Sequence, residues 1–254
     1  SKEYAEFLQA FLPELINVIR SLKIEKNTFF HISDEPNEEQ IESYRKAKSI
    51  VTPLLDGFPI IDALSDYSFY ESGIIAHPII SFASCTNDIE SFIKKGFPHP
   101  WTYYCCGQGG KLSNRFFGMP LSATRIIGLQ LFKYGIEGFL QWGFNFYNSQ
   151  FSLRSIDPFA VTDADSAFPS GDSFTVYPGE NGAVESVRSE VFYEALQDMR
   201  ALNLLSNLIG KSSTISLIEK DFGIITFTDY PRGTEYMLKL RKIINDRLDN
   251  LNKE

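Results

Sequence analysis

The chain has 254 residues, 43% of them hydrophobic and 22% charged, an ordinary globular composition with room for one large domain or two small ones. Its 24 Lys and Arg against 32 Asp and Glu leave a formal net charge of -8, which repels phosphate backbones and excludes nucleic acid or an anionic membrane as a general partner. No apolar run reaches the roughly 20 residues that span a bilayer. The start Ser1-Lys-Glu-Tyr4 shows neither a basic nor an apolar segment of a signal peptide, so localisation leans to the cytoplasm. Three cysteines, with Cys105 and Cys106 adjacent, cannot build a disulfide framework and lean the same way.

Taken in chain order, Tyr4, Phe7, Leu8, Phe11, Leu12, Leu15, Ile16 and Ile19 recur at helical spacing, which predicts a helix over 3–22 with a kink or break at Pro13. Residues 28–33 read as a short buried strand ending at Asp34-Glu35-Pro36. A helix follows from Asn37, with Asn37 and Gln40 spaced as a capping box, and runs to about Val51. Pro59–Leu64 reads as the next strand, Ile74–Phe82 as a looser apolar stretch, Asp88–Lys95 as a short helix and Trp101–Cys106 as a strand. Residues 119–134 are helical, Gly138–Phe146 a strand, 148–172 a long loop and Phe174–Tyr177 a strand. Strong helices cover 184–206 and 233–251, with short or irregular pieces at Ser213–Leu217 and Gly223–Thr228. Strands alternating with helices predict an α/β fold with a mainly parallel sheet. Only about five good strands are visible, and pattern alone does not separate an open sheet from part of a (β/α)8 barrel.

Aromatics are unusually frequent: 22 Phe, 12 Tyr and 2 Trp make 14% of the chain. Sugar-binding clefts use aromatic faces as platforms, although most of the Phe are expected in the core. The sharpest chemical feature is His31-Ile-Ser-Asp34-Glu35-Pro36, two adjacent carboxylates where a strand runs into a loop. Adjacent carboxylates repel, so one should hold its proton more tightly, which suits a general acid near neutral pH. The competing reading is an acidic lead-in to the next helix, stabilised by its dipole. Cys105-Cys106 with His77 or His99 as a base has no supporting spacing. His31, His77 and His99 form no metal-ligand pattern, and Gly107-Gln-Gly-Gly110 lacks the ending of a phosphate loop. No metal or cofactor is expected.

Five segments in order carry a resemblance: His31–Pro36, Trp101-Thr-Tyr-Tyr-Cys-Cys-Gly107, Asn114-Arg-Phe, Gly138-Phe-Leu-Gln-Trp-Gly-Phe-Asn-Phe-Tyr147 and Ser170-Gly-Asp-Ser-Phe-Thr-Val-Tyr-Pro-Gly179. With the helix from Val187 they resemble the catalytic domain of glycoside hydrolase family 123, and its relatives grouped as domain of unknown function 4091, over roughly residues 5–205. The resemblance implies a (β/α)8 barrel and a retaining, substrate-assisted exo-β-N-acetylgalactosaminidase. By position it makes Glu35 the acid/base and Asp34 the group that holds the sugar's 2-acetamido N–H. Trp142 is implied as floor or wall of the sugar pocket, and a tyrosine hydroxyl on the acetamido oxygen. Strand alternation puts Trp101, Tyr103 and Cys105 on one face and Tyr104 on the other, so Tyr103 is the tyrosine chosen. His31 supports the site from below, Trp101 also faces it, and Asn145 and Asp172 bind sugar hydroxyls. Arg188, Glu194 and Asp198 read as a structural ion-pair set.

The resemblance also implies an N-terminal β-sandwich and about three barrel strands ahead of the carboxylate pair, where this chain has one helix. Residues 1–254 are therefore expected to be the later part of one catalytic barrel domain, about strands four to eight, with a helical extension from about 207. The partner implied is a carbohydrate with a terminal N-acetylhexosamine; the preceding part of the same protein, or a second copy, would complete the barrel. The alternative is a non-catalytic carbohydrate-binding or scaffold relative that keeps the pocket.

Overall fold

Leu8, Leu12, Ile16 and Ile19 form one buried stripe of α1 (Lys2–Ser21), whose first turn is capped by the Ser1 hydroxyl accepting from the Tyr4 amide at 3.2 Å. In the computed structural model, which describes residues 1–64, 66–82 and 89–253, the chain divides into two units, 1–103 and 104–254. In the first unit, Leu8 and Leu12 pack on Leu55 with Phe30, Phe58 and Ile60 around them. The helix runs through Pro13 without a break, because buried residues on both sides of the proline hold one continuous face. Tyr4, Phe7 and Phe11, read with the buried set, stay exposed and stack along the helix instead.

The expected capping box forms as written. Asn37 accepts from the Glu39 amide at 3.1 Å, and the Asn37 amide donates to Gln40 at 3.0 Å, leading through a 3-10 turn into α2 (Ile41–Val51). Three short parallel strands follow: β1 (Ile61–Ala63), β2 (His77–Ser81) and β3 (Trp101–Tyr103). Between them lie α3 (Tyr67–Glu71) and α4 (Ile89–Lys94); the predicted start of α4, Asp88, lies outside the described residues. The register pairs Ile61 with His77, Ile79 with Trp101 and Ser81 with Tyr103. Ile61, Ala63, Ile79, Trp101 and Tyr103 therefore share one face, and Asp62, Ile80 and Thr102 the other. Tyr44, Leu64, Phe69, Ile74 and Ile75 form a core with Ile32 and Ile41.

The strand expected over 28–33 shrinks to a single bridge, Phe30 to Ile60. Past Phe30 the amides of Ile32 and Ser33 turn away to the Asp62 side chain, at 2.8 and 3.0 Å, and are lost to any ladder. That turn carries the carboxylate pair.

The second unit holds α5 (Leu121–Arg125), α6 (Ile127–Tyr134) and β4 (Gly138–Leu140), then the long loop, and β5 (Val176–Gly179) paired with β6 (Gly182–Glu185). β5 and β6 form an antiparallel hairpin rather than another parallel strand. Every residue of β6 is exposed, so it carried no hydrophobic signal. Three helices complete the unit: α7 (Val187–Ile209), α8 (Lys211–Phe222) and α9 (Glu235–Leu251). α8 replaces the short irregular piece expected there. Its Ile218 joins Leu202 and Leu205 of α7, Tyr236, Leu240 and Ile244 of α9, and Leu129 and Phe132 of α6 in one buried cluster. Burial in that cluster, rather than a strong local pattern, makes it a helix.

The expected ion-pair set is rearranged. Asp198 is buried and accepts from Arg125 at 2.7 Å and Arg241 at 2.8 Å, with Glu194 at 3.5 Å from Arg125. Arg188 belongs elsewhere: it donates to the carbonyls of Gly171 and Arg115 at 2.6 and 3.2 Å, with its guanidinium over the Phe117 ring. No described helix is long and apolar enough to cross a membrane.

Candidate active site

Asp34 and Glu35 are both exposed, on the turn between Phe30 and α2. The Glu35 amide donates to the Ala63 carbonyl at 3.1 Å, at the C-terminal end of β1. Glu35 has a φ of 42°, in the left-handed region that costs a non-glycine residue on the order of 1 kcal/mol or more. Such a conformation persists only where its surroundings impose it, and it clusters at functional sites. The buried Tyr103, at the end of β3, donates its hydroxyl to Glu35 Oε1. The carboxylate is thus held at both its backbone and its head.

Beneath the turn lies a residue that sequence reasoning missed as a site residue. Asp62 is fully buried in β1, and its Oδ1 accepts from the Ile32 and Ser33 amides. His31 Nδ1 stands 2.6 Å from the same oxygen, and the Tyr44 hydroxyl donates to Oδ2. A signal was present: an aspartate inside Pro59-Ile-Ile-Asp-Ala-Leu64 cannot be buried unpaired, so it had to be collecting donors. His31 is half-exposed, with its Nδ1 against Asp62.

Trp101 does not stand with the carboxylates. It opens β3, packs edge-on to Phe29 at 5.3 Å, and lines a cavity of about 130 Å³ with His77, His99 and Ile61 at the starting ends of the strands. Glu35 and Tyr103 meet at the other ends. Sharing a face with Tyr103 does not place Trp101 in the site, because the two lie at opposite ends of one short strand.

The remaining residues belong to the second unit. Trp142 is exposed, flanked by Phe168 at 5.0 Å and Phe146 at 5.5 Å, and its indole Nε1 donates to Asp172 Oδ2 at 3.2 Å. Gly143 allows this approach, since a Cβ there would lie 2.8 Å from the Ser173 backbone. Gly171, at a φ of +85°, turns the chain so that Asp172 points inward. Asp172 is completely buried, so the expected sugar-hydroxyl contact gives way to a bond that fixes the indole. Asn145 is exposed and pairs with Phe174 through the backbone, which leaves its side chain outward. Cys106 is exposed and Cys105 half-buried.

Burial pushes the Asp172 carboxyl up to about 6, against the opposing pull of the Arg115 guanidinium and the Trp142 N–H. Arg115, itself buried, is pushed down to about 10 by desolvation, and the buried Tyr104 hydroxyl up to about 12. A carboxyl raised in the folded state favours its neutral form there. Its contribution to stability is complete below about pH 4 and is lost as pH rises through about 6. With Trp101→Phe leaving Trp142 as the sole tryptophan, its fluorescence should titrate with a midpoint near 6. Asp172→Asn should abolish that transition, together with a fall in stability between pH 4 and 6 on the order of 1–3 kcal/mol.

The first unit thus presents an exposed carboxylate pair at a strand end with a tyrosine on one carboxylate, and the second unit, by itself, a buried acid steadying an exposed indole. The family model for the glycoside hydrolase 123 catalytic domain matches residues 1–205, and the chain belongs to that family. No curated protein matches it. Among solved structures, it is similar to a family 123 glycoside hydrolase from Clostridium perfringens studied for glycolipid glycan hydrolysis, with a TM-score of 0.63 and 15% identity. That likeness covers all of this chain and 46% of the other, so the chain spans about half the length of that relative, and at this identity it shows the fold.

Proposed function

We propose that the chain is the later part of a (β/α)8-type catalytic domain of a retaining, substrate-assisted exo-β-N-acetylhexosaminidase, with a terminal β-N-acetylgalactosamine as substrate. One observation carries it: Glu35 is exposed yet fixed in a left-handed turn, bonded to Ala63 and Tyr103, with Asp34 exposed beside it. Glu35 gives its proton to the glycosidic oxygen as the bond to C1 breaks. The substrate's acetamido oxygen attacks C1 and closes an oxazolinium ring. Asp34 accepts from the acetamido N–H and stabilises the positive charge that grows on that ring. Water then attacks C1, Glu35 takes its proton, and the ring opens to the retained sugar.

Tyr103, expected on the acetamido oxygen, is assigned here to orienting Glu35. For Trp142 and Asn145 it is the family resemblance that supports the roles of apolar wall and hydroxyl contact for the sugar. Residues 1–254 act as one domain in this reading, with α8 and α9 as its helical extension. The test is hydrolysis of an aryl β-N-acetylgalactosaminide beside the matching β-galactoside. Turnover of the first and none of the second is expected; equal turnover of both would refute substrate assistance.

A further inference from the structure

We propose that Asp62 is a positioning residue for the carboxylate pair, acting through the backbone of residues 32–35 rather than through the substrate. The inference rests on the reading of Asp34 and Glu35 as the reacting pair. Two consecutive residues of β1 grip the turn from both flanks. The Asp62 side chain takes the amides of Ile32 and Ser33, and the carbonyl of Ala63 takes the amide of Glu35. Asp34 sits between those anchors, and Glu35 is held in its left-handed conformation by them.

Asp62 is itself immobilised. It is fully buried, and the Tyr44 hydroxyl from α2 occupies its second oxygen, tying the helix layer to the turn. His31 Nδ1 stands 2.6 Å from Oδ1 and 3.3 Å from the Ile61 carbonyl, so the imidazole closes the exposed side of the anchor. A buried carboxyl group that collects three donors is an anchor, since its oxygens are satisfied only while the turn stays closed. Without it the Ile32 and Ser33 amides have no acceptor, and Glu35 can relax to an ordinary backbone conformation. Misplacing a reacting group by about 1 Å costs on the order of 10²-fold in rate.

The experiment pairs hydrogen–deuterium exchange with kinetics on an aryl β-N-acetylgalactosaminide, for the wild type, Asp62→Ala, Asp62→Asn and Tyr44→Phe. Asp62→Ala should speed exchange over residues 30–36 by about tenfold or more while protection in α1 and α7 is unchanged. Its kcat should fall about 10²-fold with KM within about threefold. Asp62→Asn, which keeps an acceptor oxygen, should recover most of both. If Asp62→Ala does not fold, Tyr44→Phe carries the test, with a few-fold rise in exchange confined to the same segment. Wild-type exchange over 30–36, or a wild-type kcat, in the variant that folds would overturn the proposal. A rise in exchange with no turnover by the wild type would uphold the anchor and count against the glycosidase reading alone.

Discussion

Glu35→Gln should lower kcat by about 10²–10⁴-fold with KM little changed, because the loss falls on a proton transfer made only in the transition state. The substitution keeps the side chain's size and an oxygen that can accept from Tyr103, so the turn at Ala63 should persist. The defect should depend on the leaving group. An activated aryl group needs little protonation to depart, whereas an alkyl or sugar alcohol needs the full proton. Steady-state kinetics with both types checks this. A uniform loss across leaving groups would point to a displaced backbone instead of a missing acid, and a variant of wild-type activity would remove Glu35 from the mechanism.

The largest stability effect is expected at Asp198, well away from the carboxylates in sequence. Asp198→Ala should cost about 3–5 kcal/mol, because it leaves the nearly buried Arg125 guanidinium with only the exposed Glu194 at 3.5 Å in place of its buried carboxylate. Arg125 belongs to α5, Asp198 to α7 and Arg241 to α9, so one buried acid fastens three helices. At a few degrees per kcal/mol for a chain of this size, the midpoint of thermal unfolding should drop by about 10 °C. A change under about 2 °C would mean that the helices hold through their apolar cluster alone. The same geometry predicts that α8 and α9, beyond the matched residues 1–205, are integral to the second unit: Ile218, Tyr236, Leu240 and Ile244 are four of the eleven buried residues of its apolar cluster.

What could be read from the sequence was local. The Asn37–Gln40 box, the helices α1 and α9, and the carboxylate pair before a helix are all written in neighbouring residues and stand where they were expected, whereas the helix expected over 184–206 begins at Val187, because Val184 and Glu185 pair in β6. The family could be recognised for a different reason, the order of several motifs along the chain. Features that depend on a distant partner were not legible. Asp62 looks like one polar residue in a strand until the amides of Ile32 and Ser33, about thirty residues earlier, are seen to need it. Asp172 was expected on a sugar hydroxyl, and only its burial and its bond to the distant Trp142 make it an inward anchor. Trp101 and Tyr103 share a face by alternation, but alternation says nothing about which end of the strand carries the chemistry. β6 escaped because an exposed hairpin strand has no buried face to leave a pattern.

The central claim is that the substrate's own acetamido oxygen is the nucleophile and that Asp34 and Glu35 serve it. The most direct measurement is kcat/KM for a series of aryl 2-acylamino-2-deoxy-β-galactosides in which the acetyl group is progressively fluorinated. Fluorine weakens the carbonyl oxygen as a nucleophile without changing the leaving group. Across the series from acetyl to trifluoroacetyl, the rate should fall steeply, by about 10²-fold or more. A flat series would contradict the account and place the nucleophile on the protein.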